Sequence, residues 1–350
     1  MESRHNHVRG RRLQRGWSQA ELASRAGISR TAVSAIESHR LVPSVAAALS
    51  LSTGLNCSVE ELFGAPSDPG AEPVWAWPPP SEPCRYWRAE VGGRSLIYPA
   101  ETEGLIGIPH DGLFRDGRMG ETRWALPHDT LVVASCDPAA SLLATEFSRS
   151  TGLRVLVLVR SSEKALDLLG QGLVHAAGLH LSTRGKPDQN QKLVLKKLGV
   201  GFRLLRVARW EEGIALSPGL GATSVRAVLH SRVRWVGRES GSGARQCLDR
   251  LLPSHRVPLR LARDHRSVAE AVRGGWADAG ICLRLVSEEA GVRFLPVEKE
   301  IYELCYSAQT EGDPRIRALV HLLRQKAYRE LIGGLPGYDV AEMGQVAPVV

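Results

Sequence analysis

No apolar run in the chain approaches 18 residues, and no apolar stretch follows the basic start MESRHNHVRGRRLQRGWSQ. Neither a membrane span nor a secretion signal is therefore expected, and the protein is read as cytoplasmic with no membrane partner. The six cysteines, at 57, 84, 136, 247, 282 and 305, include no C-x-x-C pair and form no Cys/His cluster along the chain. That spacing argues against a disulfide framework and a structural zinc site, and no metal ligand is assigned. Acidic residues are in deficit, with 37 Asp and Glu against 45 Lys and Arg, and the net charge of +8 favours a polyanionic partner without identifying one. With 43% hydrophobic and 23% charged residues the chain is neither disordered nor a coiled coil, and 350 residues are enough for two or three domains.

Composition divides the chain. Residues 1 to 65 carry short helical patterns. Residues 66 to 83 hold seven prolines, which forbid helix and favour a semi-rigid linker. Residues 84 to 128 read as a small β-rich element, with short Val/Ile/Trp/Tyr runs broken by Gly-Gly, Asp-Gly and Pro. From 129 to 335 apolar strand-like runs alternate with helical patterns, the pattern of a parallel α/β architecture, and 336 to 350 reads as a C-terminal tail. A shift of 102 residues lays LVVASC over VRWVGR, VLVLVR over VPLRLA, and GLVHAAGLHL over GGWADAGICL, which predicts two similar lobes.

Near the N-terminus, Ser18-Gln19-Ala20-Glu21 is a capping box that opens a helix at Gln19. Gly27 permits a tight turn, and Ser29 caps a second helix from Arg30 to about Ser38. Ser44 starts another helix that ends at Gly54, and Ser58 with Glu61 repeats the capping box, so five short helices are expected. The segment WSQAELASRAGISRTAVSAIESHRLVPS, followed by LNCSVEELF, resembles the Cro/CI-type (XRE) helix-turn-helix family over residues 8 to 63. The resemblance implies that the second helix of the motif enters the major groove of an operator. Gln19 would hold phosphate, Ser29 would open the recognition helix, Arg30, Thr31 and Ser34 would face base edges, and Arg40 would reach the backbone. Glu37 is read as structural, paired with Arg11 or Arg12. Eight arginines against five glutamates give this module only +3, so a homodimer, or a higher homo-oligomer, on a roughly palindromic duplex is expected.

In the C-terminal region, Ser240-Gly241-Ser242-Gly243-Ala244-Arg245 follows a strand-like run and opens a helix, an arrangement that can cradle an anion. No Gly-Lys-Ser/Thr follows, and Gln246 stands where a dinucleotide fingerprint needs its third glycine. Ser135, Ser161 and Ser162 lie at the ends of other strand candidates, where open α/β sheets bind ligands. Runs 213 to 217 and 294 to 306 read as crossing strands that act as hinges, with Tyr302 able to close over a ligand. His175 and His180, on a strand candidate, read as satisfied core or hinge histidines.

The segments ASCDPA, HAAGLHL, ARWEEGIALSPG, RESGSGARQCLDRLL, HRSVAEAVRGGWADAG and FLPVEKEIYELCY resemble the periplasmic-binding-protein-like domain of molybdate-related regulators and molybdopterin-biosynthesis fusions. The resemblance implies an all-α helix-turn-helix domain followed by a two-lobed α/β, LysR-sensor-like domain. Its cleft would bind a small anion, with molybdate or tungstate leading and a molybdopterin-type or other organic anion as the alternative. Ser135, Ser161 or Ser162, Ser242, Gly243 and Tyr302 would surround the ligand, with Ser240, Gly241 and Arg245 beside them. No nucleophile-base-orienter set is evident, so a regulator is expected rather than an enzyme, and no cofactor beyond the effector.

Overall fold

The computed structural model describes residues 6–38, 40–57, 59–63, 73–101, 109–121, 127–252 and 260–350. The chain divides into two compact units, Met1–Pro73 and Val74–Val350.

Among the described residues the first unit has five helices: α1 (Val8–Gln14), α2 (Gln19–Ala26), α3 (Arg30–Glu37), α4 (Val45–Leu55) and α5 (Val59–Phe63). Both halves of the Ser18 capping box form: Ser18 Oγ accepts the Glu21 N–H at 3.1 Å, and the Glu21 carboxylate accepts the Ser18 N–H at 2.6 Å. Ser29 and Ser44 cap α3 and α4 in the same way. Leu22, Val33, Ile36, Leu51, Leu55 and Leu62 bury their side chains in one core. The expected stop at Gly54 is corrected. Helix α4 continues through Gly54 to Leu55 and ends on Asn56 in the left-handed conformation. The capping box at Ser58 lies outside the described residues.

The second unit opens with a five-stranded sheet, order β1-β3-β2-β4-β5, built from β1 (Val74–Trp75), β2 (Cys84–Val91), β3 (Arg94–Pro99), β4 (Gly112–Arg115) and β5 (Arg118–Glu121). Strand β1 lies within the stretch expected to be linker. Trp75 packs edge-on against Tyr86 and Phe114, so the division between units falls before Val74, not after residue 83. Nor is this sheet a separate appendage. Trp87, Leu96 and Tyr98 share one core with Val132, Leu156 and Leu166 of the α/β region, and Arg154 reaches across to Asp111 through a two-pronged ion pair at 2.6 and 2.7 Å.

The ten-stranded sheet contains the two lobes. In the first, β6 (Thr130–Ser135) pairs in parallel with β7 (Arg154–Val159) and β8 (Ala176–Thr183), with α6 (Ala140–Thr151), α7 (Ser162–Gly170) and α8 (Gln189–Leu198) in the connections. After the long β9 (Phe202–Leu216) and α9 (Val225–His230), the pattern repeats. Here β10 (Trp235–Arg238) pairs in parallel with β11 (Arg260–Ala262) and β12 (Ala279–Leu283), and α10 (Gly243–Leu251) and α11 (His265–Arg273) connect them. The 102-residue echo is therefore structural. Helix α12 (Arg284–Glu289) leads into β13 (Arg293–Ser307), which runs antiparallel to β9 along their whole length and carries the chain back to the first lobe. The β9/β13 ribbon is the crossing pair foreseen at 213 to 217 and 294 to 306, with register shifts at Pro296/Glu298 and Tyr302/Glu303.

After α13 (Pro314–Arg324) and α14 (Lys326–Gly333), the expected tail is also corrected. Strands β14 (Tyr338–Asp339) and β15 (Val346–Pro348) pair with β9, and Val349 is buried in the first lobe's core.

Candidate functional site

Strands β6, β7, β10 and β11 end where the two lobes face each other, and α6, α7, α10 and α11 begin there. The lobes are shut. The Glu163 N–H on α7 donates to the carbonyl of Gly241 at 3.4 Å, Lys164 pairs with Glu239, and Gly241, at φ +85°, lies against the Glu163 side chain. Gly243 approaches so closely that an added Cβ would stand 2.5 Å from His180 Nδ1 on β8. Glycine at 243 is thus required by lobe closure and not by a tight turn.

Most of the hydroxyls expected to hold a ligand are already engaged. Ser135 Oγ accepts the Asp137 N–H at 3.0 Å and lies 2.6 Å from the Tyr302 hydroxyl. Tyr302 is buried and stacked on Trp210 at 4.4 Å, so it forms a wall of the site and not a lid. Ser162 accepts the backbone N–H of His180 at 3.2 Å. Ser242 caps α10, accepting the Arg245 N–H at 3.2 Å and donating to the Glu239 carbonyl at 2.9 Å. Ser240 is exposed to solvent. Arg245 is engaged with Asp249 one turn along its own helix at 2.7 Å. Ser161, buried at the start of α7, faces the Glu239 carboxylate.

The groups that sequence reasoning missed lie on the other wall. Arg238 ends β10 with 1% of its surface exposed, and Nε, Nη1 and Nη2 all lack hydrogen-bond partners among the described residues. Both ring nitrogens of His265, the first residue of α11, are likewise buried and unpartnered. The fully buried Glu212 carboxyl on β9 meets the Glu300 carboxyl on β13, and among the described residues no other N–H or hydroxyl reaches it. Burial raises Glu212 well above the usual carboxylate range and Glu300 to about 8, so the two acids share at least one proton at neutral pH. Glu300 accepts from Trp210 Nε1 at 3.0 Å, and His180 Nδ1 lies 2.7 Å from the same oxygen. On the other side of the His180 ring, Nε2 meets Cys136 Sγ at 3.0 Å. Burial and the charge of Arg238 hold His265 well below the ordinary histidine range, so its imidazole is neutral. His175, by contrast, is a satisfied core histidine: Nδ1 accepts the Val132 N–H at 2.9 Å, Nε2 lies 3.0 Å from the Glu90 carbonyl, and burial drives its pKa down to about 3.

In the first unit, Arg30, Thr31 and Arg40 are exposed and Ser34 is half-exposed. Ser29 Oγ accepts the Ala32 N–H at 3.1 Å and lies 2.9 Å from the Thr31 hydroxyl. Glu37 is structural. It grips Arg12, not Arg11, with contacts of 2.6 and 3.0 Å, and both side chains are nearly buried. Gln19 is tied into the same network, its Nε2 donating to Glu37 at 3.0 Å.

A two-lobed α/β domain with its unpaired polar groups where the lobes meet, carried on a chain that begins with a helix-turn-helix, is a binding-protein architecture joined to a nucleic-acid reader's fold. The chain belongs to the PBP superfamily domain family, whose model matches residues 144–324, and a helix-turn-helix model matches residues 8–62. Among curated relatives, the uncharacterized protein YvgK of Bacillus subtilis is 25% identical over 226 residues, 62% of this chain and 73% of that one. An uncharacterized protein from the 5' region of a 2Fe-2S ferredoxin gene of Clostridium pasteurianum is 31% identical over 87 residues, 23% of this chain and 74% of that one. Among solved structures, a phosphate ABC transporter substrate-binding protein from Clostridium perfringens with bound phosphate aligns at 9% identity and TM-score 0.47, over 60% of this chain and 99% of its own. The reduced form of OxyR from N. meningitidis aligns at 12% identity and TM-score 0.43, over 60% and 98%. Among the described residues, no helix is long and apolar enough to cross a membrane.

Proposed function

We propose that this protein is a one-component transcription regulator that acts in the cytoplasm as a homodimer on double-stranded DNA. Its helix-turn-helix reads an operator, and the cleft of its two-lobed domain binds a small anion that changes operator affinity. The observation that carries the reading is Arg238, a buried guanidinium with five N–H donors and no hydrogen-bond partner among the described residues, at the C-terminal end of a parallel strand between two lobes. A buried guanidinium whose nitrogens have no hydrogen-bond partner among the described residues is strongly unfavourable until a counter-anion supplies acceptors.

Because the guanidinium nitrogens are sealed from solvent in the closed lobes, a ligand reaches them only when the lobes part, and binding and closure are coupled. Coupling to DNA must be reciprocal, so operator DNA changes ligand affinity by the same factor.

Molybdate or tungstate is the leading ligand, held by Arg238 and neutral donors while Glu212 and Glu300 carry protons. An organic anion of the molybdopterin type is the second reading. It is favoured by the buried Glu212–Glu300 pair, whose carboxyls offer acceptor oxygens as well as a proton and so suit a ligand that also carries donors. Binding with operator control, not turnover, is the proposed activity.

The test is a thermal-shift titration of ligand-stripped protein with molybdate, tungstate, sulfate and phosphate, followed by operator binding with and without the effective ion. A selective shift with the first two, lost in Arg238→Met, supports the oxyanion sensor. No shift with any of the four, combined with an organic molecule released on denaturing the native protein, supports the second reading. A bound ligand that leaves operator affinity unchanged at every concentration overturns the regulator.

A further inference from the structure

The cleft holds a second set of groups that the anion reading does not use. Cys136 follows β6, His180 lies within β8 and His265 opens α11, so residues far apart in sequence and drawn from both lobes converge. Their donor atoms all lie within 4.8 Å of one another, every one buried, with Cys136 Sγ already 3.0 Å from His180 Nε2. We infer that Cys136, His180 and His265 form a binding site for a borderline-soft divalent metal ion such as Zn2+, with a fourth coordination position left for water or the cleft ligand.

Two independent observations support the site. Both ring nitrogens of His265 are buried without a partner among the described residues, which for an imidazole is an unmet demand that a metal satisfies. His180 is oriented as a ligating histidine needs to be: its Nδ1 is held by the Glu300 carboxyl at 2.7 Å, which turns Nε2 toward Cys136, and Trp210 Nε1 fixes Glu300 in turn at 3.0 Å. A carboxylate behind the ligating imidazole is the common support of a histidine metal ligand.

The dimensions fit after small adjustments. Zn–N of about 2.0 Å and Zn–S of about 2.3 Å imply tetrahedral edges of roughly 3.3 to 3.7 Å, so the Cys136–His180 contact opens slightly and His265 moves in. On binding, the Cys136 thiol gives its proton to solvent and ligates as thiolate, and both imidazoles ligate neutral. Arg238 lies close enough for its charge to bear on both rings, so an anion seated on Arg238 offsets the added cation, and metal and anion bind with positive cooperativity. Since His265 comes from one lobe and the other two ligands from its neighbour, the ion clasps the lobes shut.

The inference shares the cleft with the proposed function but does not depend on the identity of the anion, and its test contains no anion effector. Chelator-stripped full-length protein is titrated with Co2+. One ion per chain is expected, with tetrahedral d–d bands and a near-ultraviolet thiolate-to-cobalt band that disappears in Cys136→Ser and persists in Cys247→Ser. The second variant separates this site from the neighbouring group Glu212, Cys247 and Glu298. Absence of binding, absence of the thiolate band, or a band that survives Cys136→Ser overturns the site. Should Cys136→Ser fail to fold, X-ray absorption on the zinc-loaded wild-type chain decides: one sulfur at about 2.3 Å with nitrogens at about 2.0 Å is expected, and a shell without sulfur overturns it.

Discussion

Replacing Arg238 with methionine should make the ligand-free protein more stable while abolishing its response to the ligand. The side chain is 1% exposed and its three nitrogens have no hydrogen-bond partner among the described residues, so the folded state carries a desolvated charge without hydrogen-bond compensation. Methionine keeps most of the apolar stem and removes the charge, for an expected gain of about 1–4 kcal/mol by analogy with buried charges replaced by apolar side chains. At roughly 2–4 °C per kcal/mol for a domain of this size, the melting temperature of stripped protein should rise by several degrees. Wild-type protein at 100 times the dissociation constant should gain about 2.7 kcal/mol from its ligand, and the variant nothing. Calorimetry on both proteins, refolded from chaotrope and dialysed to remove bound anions, separates the cases. Were Arg238 a structural ion-pair partner, its removal would instead lose about 3–5 kcal/mol. A ligand-free variant that melts below wild type, or one that keeps the anion-induced shift, refutes the assignment.

The shared proton of Glu212 and Glu300 sets a pH dependence. Glu300 rises to about 8 on folding, so its contribution to stability is fully present below about pH 4.5 and is lost as pH rises through about 8. Denaturant midpoints across that window should fall with rising pH in wild type and flatten in Glu300→Gln, and oxyanion affinity should weaken over the same range. Gly243→Ala places a Cβ 2.5 Å from the His180 ring and should hold the lobes apart, lowering ligand affinity by roughly tenfold or more in calorimetric titration, since 1.4 kcal/mol of strain suffices for that factor. In the first unit, Glu37→Ala strands the nearly buried Arg12 guanidinium and should destabilise the helical unit by about 3–5 kcal/mol in chemical denaturation, whereas an effect under about 1 kcal/mol would reduce the pair to a surface contact. Arg30→Ala should relax base preference at one operator position at a cost of about 1–3 kcal/mol, while Arg40→Ala should weaken all sequences alike in competition binding.

Much of the fold is legible along the chain because its signals are local. A capping box needs four consecutive residues, and Ser18 to Glu21 forms as spaced; the alternation of strand and helix, and its repetition after 102 residues, likewise depend only on near neighbours. Where local signals compete, reading fails. Gly54 looks like a helix stop, but the helix runs through it to Leu55, and Asn56 in the left-handed conformation ends it. The same ambiguity misplaced the ligand donors. A serine before a helix satisfies a backbone N–H or a bound anion with the same hydroxyl, and Ser242 and Ser162 prove to be occupied by the protein itself.

By itself, then, the sequence determined the helix-turn-helix, the two-lobed plan and the crossing strands, all built from short-range periodicity and capping. Only the tertiary structure decided which polar groups are left without partners. Arg238 and His265 resemble any other charged or polar residues in the sequence. Their significance comes from burial between two lobes that meet through segments far apart in the chain, and burial without a partner is a property of the whole packing and of no local pattern.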